Sequence, residues 1–356
     1  MSEVRSRDYL SNVPNWERMS QQFREAILLS NALPEVYPET IDGKGSSKKN
    51  VMTRREDKGI DKEREIKLDS VVSSLDGEEQ DLYQDYLQRK HNYFVNLAKR
   101  YHRVVELFKN QRMLGKNNRG WQAVARHSLV MAELAGNLAG ALRSQSRGVS
   151  NQEDLRIAGL LHDMAKRDEM EKLRSLQAEN QAKPDGEKLT EETIYTQMAE
   201  VEEKKFRNFL NSSSVKDIIV CFLPHLADTQ SFNEFIRSLR NIGDVGSMQM
   251  VEKGFDPETS PINSSRLLDN DISKILFYLD QIIKHTAIVS IKERFTDARR
   301  RYASPESQQS AQFRQMDNRE KIALRIEQEF ENTLGIKAEG MQEHLAKLFF
   351  EKLYHK

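Results

Sequence analysis

Apolar residues in this chain recur every three or four positions and seldom alternate, a pattern that predicts an almost entirely α-helical protein. Asn15 to Leu33 reads as one amphipathic helix stopped by Pro34 and Pro38. Gly43 to Asn50 breaks the pattern and reads as a linker. Its Gly-Lys-Gly-Ser is no phosphate loop, because no strand precedes it and no glycine stands at the required offset. Val51 to Asp69 carries dense mixed charge with few apolar anchors, so it is a solvated helix or a segment without structure. A long helix is expected from Glu79 to Asn110, with Leu82, Tyr86, Tyr93, Leu97 and Tyr101 on one face. Past Ala298, two more stripes follow, Ile322, Ile326, Phe330 and Leu334, then Leu345, Leu348, Phe349 and Leu353.

Two stripes carry polar residues where apolar ones belong. Val124, His127, Met131, Leu134 and Leu138 form the first, and Leu155, Ala158, His162 and Ala165 the second. The polar stretch Ser144 to Asn151 supplies the loop between them. Asp163 follows His162 directly, and adjacent residues on a helix project about 100° apart, close enough for both to reach one ion. A lone histidine on such a face is more often a satisfied core residue. Two histidines and an aspartate buried without a counter-charge would be costly, and a bound cation offsets that cost. His127, His162 and Asp163 are therefore candidate metal ligands.

The arrangement of an inward histidine, a connector, then Leu160-Leu161-His162-Asp163-Met164-Ala165-Lys166 resembles the HD superfamily of metal-dependent phosphohydrolases, over roughly residues 119 to 295. In that family a last aspartate arrives much later, on a helix reading Ala-Asp or Leu-Asp. Asp280 in Leu276-Phe277-Tyr278-Leu279-Asp280-Gln281-Ile282-Ile283 fits that place, with Leu276, Ile283 and Ala287 on its stripe. The resemblance implies that His127, His162, Asp163 and Asp280 hold one or two divalent ions. Imidazole and carboxylate donors suit Mn, Fe, Co, Ni or Zn, with Mg also allowed. It also implies a metal-activated water attacking a phosphate ester, with Asp163 and Lys166 as catalytic residues and Lys166 meeting a phosphate oxygen. Arg126 is a weaker substrate contact. His225, after Pro224, falls where several such families carry a further histidine, as ligand to a second ion or as a phosphate contact; a core histidine fits the residues equally well. Asp269 and Asp271 read as ordinary helix caps.

Composition narrows the function. Lys plus Arg number 55 against 55 Asp plus Glu, so no net charge draws the chain to nucleic acid or to an anionic membrane. Nucleic acid remains possible through local patches such as Arg299-Arg300-Arg301, and the turn Gly115 to Trp121 could cradle a phosphate, although a plain connector suits it slightly better. With 38% hydrophobic and 31% charged residues and a mean hydropathy of −0.72, much of the surface is solvated helix. A single cysteine, Cys221, excludes an intrachain disulfide, and neither a membrane span nor a signal peptide is legible, so the chain is expected to be cytoplasmic. Within the resemblance, the guanosine tetraphosphate hydrolases show His-Asp-x-x-Glu-Asp, whereas Lys166 and Arg167 stand here. The Gly-Tyr-Pro of cyclic-di-GMP phosphodiesterases is absent, and His225 and His285 are too few for a di-iron oxygenase.

The expected architecture is an all-α HD-domain helical bundle with N- and C-terminal helical extensions. Residues 1–78 form an N-terminal helix with a charged linker, 79–118 a leading helix, 119–297 the metal-dependent hydrolase domain, and 298–356 a C-terminal extension available for homo-oligomer contacts. The expected substrate is a phosphorylated small molecule, a nucleotide first among them. The alternative is an HD-fold regulatory or protein-interaction module with little or no catalysis.

Overall fold

The computed structural model describes residues 14–30, 62–113, 119–145, 150–164, 166–190, 193–194, 208–245, 254–284, 286–301, 311–336 and 340–354. The expected linker at Gly43–Asn50, the proline stop at Pro34 and Pro38, His285 and most of the Gly115–Trp121 turn lie outside these residues.

The fold is all-α. In chain order the helices are α1 (Gln21–Leu29), α2 (Lys62–Ser74), α3 (Gly77–Arg100), α4 (His102–Asn110), α5 (Arg119–Gln145), α6 (Gln152–Leu161), α7 (Lys166–Gln181), α8 (Ser213–Phe222), α9 (Thr229–Asp244) and α10 (Asp271–Ile282). A hairpin of two short antiparallel strands, β1 (Ile283–Lys284) and β2 (Ala287–Ile288), precedes α11 (Ile291–Arg301), α12 (Ala311–Leu334) and α13 (Gly340–Tyr354). Small polar side chains start the helices. Ser20, Asp76, Asn151, Asp228 and Asn270 each accept a backbone N–H of the first turn that follows, satisfying donors a helix start would leave open.

Several boundaries differ from the sequence pattern, each for a local reason. The N-terminal helix is shorter than Asn15 to Leu33, because Ser20 caps it and the chain is extended at Ser30, with a 3-10 turn at Trp16–Arg18 before it. The leading helix breaks at Tyr101 into α3 and α4. The cap of α10 is Asn270; Asp271 lies in the first turn, and Asp269 pairs with Arg237 at 3.3 Å. Ile283 and Ala287 belong to the hairpin, so the Asp280 stripe ends with the helix, and α11 runs unbroken across the boundary expected after residue 297.

One apolar core runs from Trp16 to Leu353. The C-terminal stripes Ile322, Ile326, Phe330 and Leu345, Phe349, Leu353 are buried inside it, so the chain itself uses these faces. Phe350 of α13 gathers Trp16, Phe23, Tyr86 and Tyr354 around its ring at 4.7–6.0 Å, fastening the N-terminal helix and α3 to the C-terminal helix. Glu133 on α5 is fully buried, yet it accepts from Tyr93 Oη at 2.5 Å, pairs with Lys352 of α13 and has Arg156 Nε at 3.9 Å. A buried carboxylate is tolerable only when paired in this way. Three helices therefore meet α5 through one charge.

The tightest packing is between α5 and α6. A Cβ added to Gly159 would lie 2.7 Å from Ala132 Cα and 2.8 Å from Ala132 N, so the two backbones touch where only hydrogen fits. Gly159→Ala should therefore lower stability by about 1–3 kcal/mol, the usual cost of overpacking. Thermal or urea unfolding reads this directly, and an unchanged midpoint would mean that the helices can separate freely.

Lys90 is buried beside a cavity of about 30 Å³ and donates to the Ser30 carbonyl at 3.2 Å. Burial, reinforced by the charge of Arg64, pulls its ammonium down to about 8. Between about pH 8 and the ordinary lysine value the unfolded chain holds the proton more tightly, so this group's contribution to stability rises with pH across that window. The stability of the parent relative to Lys90→Met should climb from pH 8 to about 10.4, measured by denaturant titration. A constant difference across that range would show that Lys90 titrates normally.

Candidate metal centre

The α5–α6 contact carries the site. His127 lies on the buried face of α5, just outside the tight approach, and His162 follows α6 directly. The sequence pattern places His162 and Asp163 inside a continuous helix. In the structure α6 ends at Leu161, and His162 caps it. Its ring nitrogen Nδ1 lies 2.7 Å from the Gly159 carbonyl, the acceptor that the Asp163 N–H would use in a continuing helix. Two four-residue turns follow, from Met164 N to Leu161 O and from Lys166 N to Asp163 O, before α7 starts at Lys166.

That hydrogen bond fixes the imidazole. The Gly159 carbonyl can only accept, so Nδ1 carries a proton toward it, and in the neutral ring the lone pair is on Nε2. Nε2 is buried and has no hydrogen-bond partner. The His127 and His162 rings stand 5.3 Å apart, centroid to centroid. Asp280, in the last turn of α10, presents Oδ1 at 3.5 Å from His127 Nε2. Donor atoms of His127, His162 and Asp280 all lie within 4.8 Å of one another, a group of side chains able to hold a metal ion.

The charged groups at the centre act directly on one another. Burial alone would raise the Asp280 carboxyl, but the His127 hydrogen bond and the charges of His127, His162 and Arg294 outweigh it and hold the group well below the usual carboxylate range. Burial would likewise favour neutral His127, but the hydrogen bond to Asp280 and the charges of Asp163 and Asp280 keep the ring above the ordinary imidazole value. A divalent cation could take the place of the proton that Asp280 favours on His127, since ligand imidazoles bind as the neutral form and release their protons. With one orphaned buried nitrogen, a second imidazole and a carboxylate converging, the residues present fit such an ion.

The remaining sequence-based candidates are dispersed. Asp163 Oδ2 stands 3.6 Å from His162 Nε2, beside the three-residue cluster rather than within it. Lys166 is half-buried at the start of α7; the intervening turn means it is not simply one helical turn beyond His162. Arg126 is half-buried, next to His127 on α5. His225 is not brought to the cluster. It is half-exposed, in a 3-10 turn with Pro224, and its Nε2 faces Asp154 Oδ1 at 3.3 Å. Asp154 lies at the start of α6, eight residues and about 12 Å of helix away from His162. Pro224 turns the chain there, after α8 has ended at Phe222, so His225 does not continue a face of α8.

Two residues were missed by the sequence reading. Gly159 was legible as a glycine inside the apolar run Ala158-Gly159-Leu160, which signals a close backbone approach. Arg319 was not: it sits on α12 with Nη2 3.7 Å from Asp280 Oδ2, and nothing in its local sequence points to that partner.

Comparison with protein-family models matches residues 124–225 to the HD domain. No curated protein and no solved structure matches the chain. The match begins on the His127 helix, takes in the His162-Asp163 pair and ends before Asp280, which the tertiary structure adds to it. No described helix is long and apolar enough to cross a membrane. Residues 124–225 of this chain match the HD domain, consistent with the superfamily of metal-dependent phosphohydrolases, and the two inward histidines of that stretch meet Asp280 at a candidate metal centre.

Proposed function

We propose that this chain is a metal-dependent phosphohydrolase acting on a phosphorylated small molecule, with a nucleotide as the first substrate class to test. The observation that carries the reading is the convergence of His127, His162 and Asp280 with His162 Nε2 buried and lacking a hydrogen-bond partner. Two imidazoles and a carboxylate converging beside an HD-domain match support a divalent cation put to hydrolytic use.

When bound, the cation supplies Lewis acidity, polarising a phosphoryl oxygen and making water acidic enough to attack near neutral pH. His127, His162 and Asp280 would hold it, the Gly159 carbonyl keeping the His162 ring in the tautomer that offers Nε2. Asp163, with Oδ2 facing His162 Nε2, would add a ligand oxygen or accept the proton of the attacking water. Lys166 would meet the phosphate, its ammonium offsetting charge that grows on the phosphoryl oxygens in the transition state. Arg126 would be a second, weaker contact to the same anion.

The purified chain should bind Mn²⁺ or Ni²⁺ and gain thermal stability from it, by about 2.7 kcal/mol at a hundredfold excess over Kd. His162→Ala should abolish that gain. A parent chain with no ion uptake and no stabilisation would remove the metal centre.

With Mn²⁺ present, the parent should hydrolyse at least one member of a panel of nucleotides, phosphomonoesters and phosphodiesters. Lys166→Ala should leave ion content intact while lowering kcat by roughly 10²–10³-fold, as loss of one transition-state donor does. Equal turnover in the two proteins would take Lys166 out of the mechanism. A metal-loaded parent inert across the whole panel would assign the centre to a regulatory module instead.

A further inference from the structure

The carboxylate of Asp280 is held from both sides. Oδ1 faces His127 Nε2 at 3.5 Å, while Oδ2 accepts from Gln281 Nε2 at 3.1 Å and has Arg319 Nη2 at 3.7 Å. Arg319 is itself pinned. Its Nη1 reaches the carbonyls of Ile242 at 3.4 Å and Val245 at 3.3 Å, at the end of α9, and its guanidinium carbon lies 5.1 Å above the Phe277 ring of α10. A planar fork spread over two carbonyls, a carboxylate and an aromatic face is oriented by its surroundings, which a lysine could not match.

The helix that carries it is locked in register. Lys274 pairs with Glu329 at 2.8 Å and Tyr278 Oη donates to Glu327 Oε2 at 2.7 Å. Together with Asp280 and Arg319, these contacts run in opposite order along α10 and α12, so the helices lie antiparallel with Arg319 opposite the site end of α10. Arg325 adds bonds to the carbonyls of Pro257 at 2.9 Å and Ser260 at 2.6 Å, and Ile322, Ala323 and Ile326 are buried beneath. A slip of one turn would break these contacts together.

We propose that Arg319, carried by the C-terminal helix α12 well outside the HD match, is a positioning residue that holds Asp280 Oδ2 and so presents Oδ1 alone, beside His127 and His162, to a divalent cation. The inference rests on the metal-centre reading above and deepens it: the C-terminal extension completes the site. Partners behind a ligand are a general determinant of metal affinity, and losing one typically weakens binding 10–100-fold.

The sign of the effect separates this role from simple electrostatics. A cation behind Asp280 repels an incoming ion, so removing it without loss of orientation would tighten binding. Mn²⁺ binding to the full chain can be followed by electron paramagnetic resonance of the free ion, alongside thermal unfolding in chelator. Arg319→Met should weaken Mn²⁺ binding by at least about tenfold, and Arg319→Lys, which keeps the charge but loses the fork, should weaken it less. If Arg319→Met does not fold, Arg319→Lys carries the test, with a severalfold loss expected. Unchanged or tighter Mn²⁺ binding in the folded variants would overturn the proposal, including the case where only the melting temperature in chelator falls, which marks a structural peg. A parent that binds Mn²⁺ while the variants bind it equally well refutes Arg319 alone; a parent that binds none refutes the metal centre and this proposal together.

Discussion

The contact between Gly159 and the Ala132 backbone is the constraint on which the rest depends. It brings α5 and α6 closer than any side chain would allow, and each helix carries one imidazole of the cluster just beyond that point. Separating the helices by the radius of a methyl group would move His127 and His162 apart by a similar distance. The same glycine contributes its carbonyl to His162 Nδ1, so one residue sets both the distance between the rings and the tautomer of one of them. A site that needs donor atoms within a few ångströms is thus built where the backbone is least able to move.

Electrostatics then shape what packing has brought together. His127 and Asp280 face each other as a pair at 3.5 Å, Arg319 and Gln281 hold the outer carboxylate oxygen, and the buried His162 Nε2 is left without a hydrogen-bond partner. The pairings are unequal in kind. The His127–Asp280 pair can be dissolved by a divalent cation, because both partners are ligands of the right type. The Arg319–Asp280 contact cannot, because guanidinium is never a ligand. One side of Asp280 is therefore exchangeable and the other permanent.

The helices outside the HD match are structural participants in the domain. Glu133 ties α5 to Tyr93 of α3 and Lys352 of α13 in a region that excludes water, where an unpaired carboxylate would be prohibitive. Phe350 joins the two ends of the chain around one aromatic cluster. Since α5 bears His127, the extensions at both ends buttress the helix that carries a ligand. The family match covers residues 124–225, but the side chains that fix its geometry come from residues 93 to 352.

What the sequence determined by itself was the helical class and the imidazole-bearing faces. Periodicity of three and four is a local property, and a histidine on an apolar stripe is visible from its neighbours alone, as with His127 in Val124-His127-Met131. Asp280 was legible by its stripe and its place in a family resemblance. Where α6 stops was not legible, because the His162 ring competing for the Gly159 carbonyl is a matter of side-chain conformation rather than residue type. His225 was legible as a candidate after Pro224, but its partner was not: Pro224 turns the chain and gives His225 to Asp154 at the other end of α6. Packing brings Asp280 to His127 and His162 as the resemblance implied, and tertiary structure alone decided that Arg319 stands behind Asp280. Those pairs are separated by 39 to 153 residues of chain, and only the packing of α10 and α12 onto the α5–α6 pair sets which distant charges meet.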